Sequence, residues 1–233
     1  MEAAAVRVDQ LSRSTEDYLK AIYALGARGE PVQTSAIAES LAVAPASVSG
    51  MLKRLAEAGL LEHAPYRGVE LTPAGRRAAL RIVRRHRVLE AYLTRMLGYD
   101  WDSVHDEAER LEHAVSDTLI ERMARALGNP SYDPHGHPIP SATGEIEVPE
   151  HTPLSEIPVG SSAEFRMVSD KDPERLRYIR SLGLDVGTVF RVVAREPFQG
   201  PVTIQIGGSP RTAIGHELAT SLACVVAEED DVS

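Results

Sequence analysis

The sequence predicts a mainly α chain that begins with a winged helix-turn-helix and ends in a small β-barrel. Three observations carry this reading. Apolar residues recur at helical spacing from Ser14 to about Gly128. Seven prolines then interrupt residues 129–158, which reads as irregular chain crossing from one module to the next. From residue 159 onward, short runs alternate apolar and polar residues between turn glycines.

Each element follows from local signals. Ser14 opens a first helix, STEDYLKAIYALGARG, with Leu19, Ile22, Tyr23 and Leu25 on its apolar side; Ser14 and Asp17 fit a capping box. A short second helix, TSAIAESLA, follows. The third, APASVSGMLKRLAEAGLL, has Pro45 in its first turn and Gly59 after its last. LLEHA and GVELT, joined by Pro65-Tyr66-Arg67-Gly68, read as a β-wing. Thr72-Pro73 caps a long helix through Leu97, which Gly98 ends. Ser103, paired with Asp106 in a second capping box, starts a helix that runs to Gly128. SAEFRMV, TVFRVVAR and VTIQIGG, with one helix near DPERLRYIRSLG, form the expected barrel. The expected divisions are 1–73 for the winged module, 74–146 for the helical domain, 147–158 for a linker and 159–233 for the β domain.

Composition narrows the function. No apolar run approaches membrane-spanning length, and MEAAAVRVDQ lacks the apolar core of a signal peptide, so no membrane partner is expected. The single cysteine, Cys224, excludes an internal disulfide and any cysteine-rich zinc module. A cytoplasmic protein is expected. The net charge of −9 is unevenly spread. Residues 44–95 hold ten Lys/Arg against four Glu, a balance of +6, whereas residues 100–157 hold three Arg against thirteen Asp/Glu, a balance of −10. Local fields therefore outweigh the total.

A winged helix-turn-helix places its second helix in the major groove of double-stranded DNA. Ala44, Ala46, Ser47, Ser49 and Gly50 begin that helix; they are small enough to let the backbone approach bases while alanine methyls touch thymine methyls. Thr34 and Ser35 open the preceding helix toward the same groove. Lys53, Arg54, Tyr66 and Arg67 are placed to hold phosphates, which sets position and salt sensitivity rather than sequence choice.

VHDEAERLEHAVSD raises a different question. His105, Glu109, Glu112 and His113 share one helical face where a core-facing helix would carry Leu or Val. Beside them run Val104, Leu111, Val115, Leu119 and Met123, an apolar stripe that puts the face partly inside. Carboxylates gathered so closely drive one another to hold protons unless a cation sits among them. Neutral imidazole and ionised carboxylate together suit Mn²⁺, Fe²⁺, Co²⁺ or Ni²⁺. In HRVLE, His86 and Glu90 lie four apart, and with His105 they make a second ligand group. A helical-bundle di-metal enzyme would need Glu-x-x-His on two helices, which is not found here.

STEDYLKAIYAL, the helix-turn-helix, HRVLE and VHDEAERLEH resemble the diphtheria toxin repressor family of metal-dependent transcriptional regulators. NPSYDPHGHPIPS resembles the segment after that family's metal helices, and the tail resembles its SH3-like third domain, related to the FeoA iron-transport protein. The resemblance implies a homodimer that binds a palindromic operator, and it makes residues 74–146 a metal-binding and dimerisation domain. It implies two metal ions per subunit: an ancillary site of His86, Glu90 and His105, with Asp172 from the third domain, and a primary site of Asp17, Glu109, Glu112 and His113. Asp17 and Glu109 stand where the family's iron-sensing members place Met and Cys, as in its manganese-sensing members, so Mn²⁺ is expected first and Fe²⁺ second. Lys20 departs from the manganese type, which tends to place Glu three residues after that Asp. His135 and His137, in DPHGHP, read as turn residues.

Overall fold

The computed structural model describes residues 11–27, 29–64 and 68–227. They form two compact units. One comprises the described residues of Met1–His86, Glu109–Arg122 and Pro140–Ile146; the other comprises those of Arg87–Ala108, Met123–Ile139 and Glu147–Ser233.

In the first unit, Ser12 caps α1 (Arg13–Leu25): its backbone is extended, and its hydroxyl accepts the Thr15 amide at 3.2 Å. The helix thus starts before the expected Ser14, which lies inside the first turn and cannot cap it. Asp17 is left free for other work. Helices α2 (Thr34–Ser40) and α3 (Pro45–Glu57) are bent by 111° about a short break, within the helix-turn-helix range. Ala42 turns the corner at φ 52°, and the Val43 amide closes it on the Ala38 carbonyl at 3.0 Å. Strands β1 (Leu61–Ala64) and β2 (Gly68–Leu71) pair antiparallel as the expected wing, Leu61 opposite Leu71. Val32 joins them by exchanging both backbone bonds with Val69, at 2.8 and 2.9 Å. Leu19 and Ile22 of α1, Ile37 of α2, Val48 and Leu55 of α3, and Ala79 and Ile82 of α4 (Pro73–Leu97) fill one core. Thr72 caps α4 as expected, accepting the Gly75 amide at 3.0 Å.

The single helix expected from Ser103 to Gly128 is two. α5 (Val104–Leu111) stops, and α6 (Asp117–Ala126) begins anew with the Ser116 hydroxyl accepting the Leu119 amide at 3.2 Å. A serine before an acidic first turn is a fresh helix start, and it outweighs continued periodicity. Glu112 and His113 consequently sit in a turn rather than on a helical face.

The second unit holds a six-stranded antiparallel sheet in the order β3-β8-β4-β5-β6-β7. Its strands are β3 (Thr152–Pro153), β4 (Ser162–Met167), β5 (Val189–Arg195), β6 (Val202–Gln205), β7 (Thr212–Ile214) and β8 (Ala223–Val226), with α7 (Pro173–Ser181) and α8 (His216–Ser221) between them. The expected barrel does not close: among the described residues the end strands β3 and β7 do not pair. β3 is two residues long, and one of them, Pro153, has no amide to donate. Phe165, Leu176, Phe190, Val192, Ile204 and Cys224 fill the core together with Trp101. Burial pushes the Cys224 thiol up to about 12, so it stays protonated and inert. No single described helix is long and apolar enough to cross a membrane.

One turn in this unit is tightly built. The Asp133 carboxylate accepts the His135 and His137 amides at 2.8 and 2.9 Å, and the Val168 amide donates to the His135 carbonyl at 3.1 Å. Gly136 adopts φ +87°, and a Cβ there would land on the Arg166 carbonyl. Gly136→Ala therefore combines left-handed strain with a backbone clash, and should lower stability by about 2 kcal/mol or more. Gly98→Ala, at φ +73° with nothing within 4 Å of the added carbon, meets the strain alone and should cost about 1 kcal/mol. Equal losses in thermal unfolding of the two variants would show that the turn is not packed in this way.

Candidate metal centre

The first unit gathers its chemistry around Glu112, whose side chain is wholly buried. Three elements supply partners: α1 brings Glu16, Asp17 and Lys20; α4 brings Arg85 and His86; the end of α5 brings Glu109, with His113 next to Glu112 in the turn. Glu112 Oε2 lies 2.6 Å from His86 Nδ1 and 2.8 Å from Lys20 Nζ. A carboxylate only accepts, so the imidazole and the ammonium donate. Burial by itself would raise the Glu112 pKa, but the His86 bond and the Lys20 charge outweigh it and hold the group below its ordinary value. Burial would likewise lower Lys20, yet Glu112 and Glu109, the latter 2.5 Å from Nζ, raise it.

His113 is oriented from behind. Its Nδ1 donates to Glu16 Oε2 at 2.6 Å, and Glu16 Oε1 is held by Arg85 Nη1 at 3.1 Å. In the neutral imidazole this leaves a lone pair on Nε2, which is buried and makes no hydrogen bond, though it lies 2.9 Å from Asp17 Oδ1 and 3.4 Å from Glu112 Oε1. Burial raises the Asp17 pKa, with His113 opposing. A lone pair and two carboxylate oxygens turned toward one point repel unless a cation stands there. Ligand atoms of Asp17, Glu112 and His113 all lie within 4.8 Å of one another, as do those of His86, Glu109 and Glu112.

The second unit holds a separate acidic group. His105 Nδ1 lies 3.3 Å from both Glu90 Oε1 and Asp170 Oδ2. Burial would lower the His105 pKa, but its bonds to Asp170 and Glu90 carry it to about 10. Asp170 is correspondingly held well below the carboxylate range by His105, against its burial. His135 is fully buried; its Nε2 donates to the Trp101 carbonyl at 2.6 Å, which turns Nδ1 toward Glu90 Oε1 at 3.7 Å.

Comparisons with known proteins match this arrangement from end to end. Residues 10–69 fit the family model described as iron dependent repressor, N-terminal DNA binding domain. Residues 72–141 fit the model for the iron dependent repressor metal binding and dimerisation domain, and residues 152–225 fit the FeoA domain. The iron-dependent repressor IdeR of Mycobacterium tuberculosis is 34% identical over 223 residues, 91% of this chain and 96% of its own length. The chain belongs to the iron-dependent repressor family. Diphtheria toxin repressor of Corynebacterium glutamicum is 33% identical over 84% of this chain and 89% of its own. A solved manganese-dependent transcriptional repressor in complex with manganese superposes with a TM-score of 0.84 at 40% identity, covering 91% of this chain and 100% of its own.

The family is one of metal-dependent transcriptional repressors rather than enzymes, and the residues fit a divalent ion. The fit rests on the His113 lone pair facing Asp17 and Glu112, with Glu16 fixing the ring as a carboxylate behind a metal-bound histidine does. Of the expected primary set, Asp17, Glu112 and His113 come together. Glu109 meets Lys20 and converges with His86 and Glu112. Of the expected ancillary set, Glu90 and His105 come together in the second unit, and His86, which belongs to the first, also bonds Glu112 there. The expected Asp172 does not join Glu90 and His105, and Asp170 lies beside His105 in its place. Asp172 directly precedes Pro173, the first residue of α7, and its carboxylate caps that helix by accepting the Arg175 amide at 3.0 Å. That D-P pair was a legible cap signal.

The sequence reading missed Glu16, masked by its neighbour Asp17, and took His135 for turn chemistry alone. The turn is there, but the ring also reaches Glu90. Among the expected DNA-facing residues, Ser35, Ala44, Ala46, Ser47, Ser49, Gly50, Lys53 and Arg54 are exposed and Thr34 is half-buried. Tyr66 and Arg67 lie outside the described residues. The Ser49 hydroxyl donates back to the Pro45 carbonyl at 3.2 Å. The +6 balance needs correction too. Arg84 and Arg85 bond Glu121, Glu16 and Asp117 at 2.7–3.1 Å, and Arg81 bonds Asp117, so these guanidiniums are engaged by carboxylates within the protein.

The His105 geometry has a pH consequence. With its pKa raised from 6.5 to about 10, His105 contributes stability to the metal-free protein that is fully present below 6.5 and fades as pH rises through 10. NMR titration of the chelator-treated protein should find this imidazole protonated well above neutrality. A midpoint near 6.5 would show that Glu90 and Asp170 do not hold it.

Proposed function

We propose that the chain is a manganese-responsive repressor of the iron-dependent repressor family that acts in the cytoplasm, binding a palindromic operator in double-stranded DNA as a homodimer. Each subunit takes two ions. The first sits at Asp17, Glu112 and His113, and the second at Glu90, His105 and Asp170, with His135 turned toward it. The observation that carries this reading is the oriented, unshared lone pair of His113 between two carboxylates.

The donors are carboxylate oxygen and imidazole nitrogen, with no thioether or thiolate, which favours harder Mn²⁺ over softer ions. The one cysteine is buried elsewhere and protonated. Fe²⁺ is the second reading, favoured by the 34% identity to an iron-dependent repressor. A bound ion supplies a positive charge that ties α1 to the turn between α5 and α6. Asp17 holds that end from α1, whose other face packs Tyr18, Leu19 and Ile22 into the core that carries α2 and α3. Fixing α1 fixes the recognition helix, so metal and operator must raise each other's affinity by the same factor. Lys53, Arg54 and Arg67 hold phosphates, while Ser47 and the small residues around it meet base edges.

Gel shifts on operator DNA after chelation, titrated with Mn²⁺ and Fe²⁺, test the reading. Binding should need metal and fall steeply with salt. Equal affinity in chelator and in excess Mn²⁺ would sink it. Glu16→Ala leaves all three proposed ligands of the first site in place yet frees the His113 ring. It should weaken Mn²⁺ binding about 10–100-fold by calorimetry, as loss of a carboxylate behind a histidine ligand does. Unchanged affinity would place His113 outside the site.

A further inference from the structure

Lys20 is half-buried among groups that would otherwise bind a cation. Its ammonium lies 2.5 Å from Glu109 Oε1, 2.8 and 3.0 Å from the two oxygens of Glu112, and 3.1 Å from His86 Nδ1. Only 19% of its side chain is exposed. The three partners it touches are the same three whose ligand atoms converge within 4.8 Å as a possible metal group. That group shares Glu112 with the Asp17–Glu112–His113 group. The first unit thus contains two adjoining cation positions, one of them filled by a side chain of the chain itself.

We infer that Lys20 is a resident cation: its ammonium fills the position among His86, Glu109 and Glu112, so the first-unit cluster accepts one divalent ion instead of a bridged pair. The inference rests on the metal reading above and goes beyond it in fixing how many ions this cluster takes. Charge decides between the alternatives. Asp17, Glu109 and Glu112 supply three negative charges; Glu16 is matched by Arg85. One divalent ion and one ammonium supply three positive charges and close the balance. Two divalent ions with the ammonium still inside would give five, an excess of positive charge crowded around the wholly buried Glu112. For a second ion to enter, the ammonium would have to leave both carboxylates and give up every short contact it makes. A tethered ammonium also differs from a metal in what it asks of its neighbours. It holds its neighbours by donating N–H bonds to them, it cannot dissociate, and it keeps Glu109 and Glu112 together when no metal is present.

The test is Mn²⁺ loading of the full chain, read by electron paramagnetic resonance and by metal content after gel filtration. Wild type should show magnetically isolated Mn²⁺ only. Lys20→Glu exchanges the positive charge for a fourth carboxylate, so the cluster should bind one more ion per subunit than wild type, with the exchange-coupled signal of a carboxylate-bridged pair. Lys20→Gln removes the charge with little change of size. It is the safer variant for folding and should move the same way, with at least a tenfold rise in Mn²⁺ affinity at the added position. An exchange-coupled pair already present in wild type would overturn the inference. So would wild-type stoichiometry and isolated signals in both variants. Wild type that binds no Mn²⁺ at all would instead bring down the proposed function, and this inference with it.

Discussion

Glu112 places a carboxylate where no water reaches it, and the rest of the metal-binding region is arranged around meeting that charge. An isolated buried carboxylate costs several kcal/mol or takes up a proton. This one does neither, because His86, Lys20 and His113 approach it from three elements. Their approach requires the turn between α5 and α6. A continuous helix would keep Glu112 and His113 about 100° apart on one cylinder, whereas the turn lets both face α1. Arg85 then holds Glu16, Glu16 holds His113, and the lone pair of His113 is aimed.

The same helix that carries these charges carries the DNA module's core. On α1, Glu16, Asp17 and Lys20 occupy one side, and Tyr18, Leu19 and Ile22 fill the other. A 13-residue helix packed on α2 and α3 does not flex at the scale of a ligand shift, so what fixes one side constrains the other. The coupling between ion and operator therefore needs no long pathway. It needs one rigid element with chemistry on one face and packing on the other.

Charge is organised locally in the same spirit. Part of the acidic run of residues 100–157 is met by arginines of α4. Arg81, Arg84 and Arg85 are spaced along α4 to meet Asp117 and Glu121, whereas Lys53 and Arg54 of α3 stay exposed. Summed charge over a window could not reveal this, since it does not say which side chains face each other.

The sequence by itself determined the order of elements, the helix-turn-helix and wing, and the family. It also marked Glu112 and His113, because helical periodicity and the His/Glu spacing are local properties of consecutive residues; Asp17 was marked only through the family resemblance. It misplaced the start of α1 at Ser14 and ran α5 into α6, since a capping serine competes with periodicity over only a few residues and Ser12 and Ser116 win by geometry. Its closed barrel failed on Pro153, whose missing amide leaves β3 too short to pair onward. What only the tertiary structure decided was who meets whom across long sequence separations. Lys20 reached Glu109 and Glu112, Glu16 reached His113, and Asp170 took the place assigned to Asp172. Each is a pairing of charges 60 to 100 residues apart, apart from the Asp172 cap. Such pairings follow from the packing of elements and from the cost of leaving a buried charge alone, neither of which spacing along a chain records.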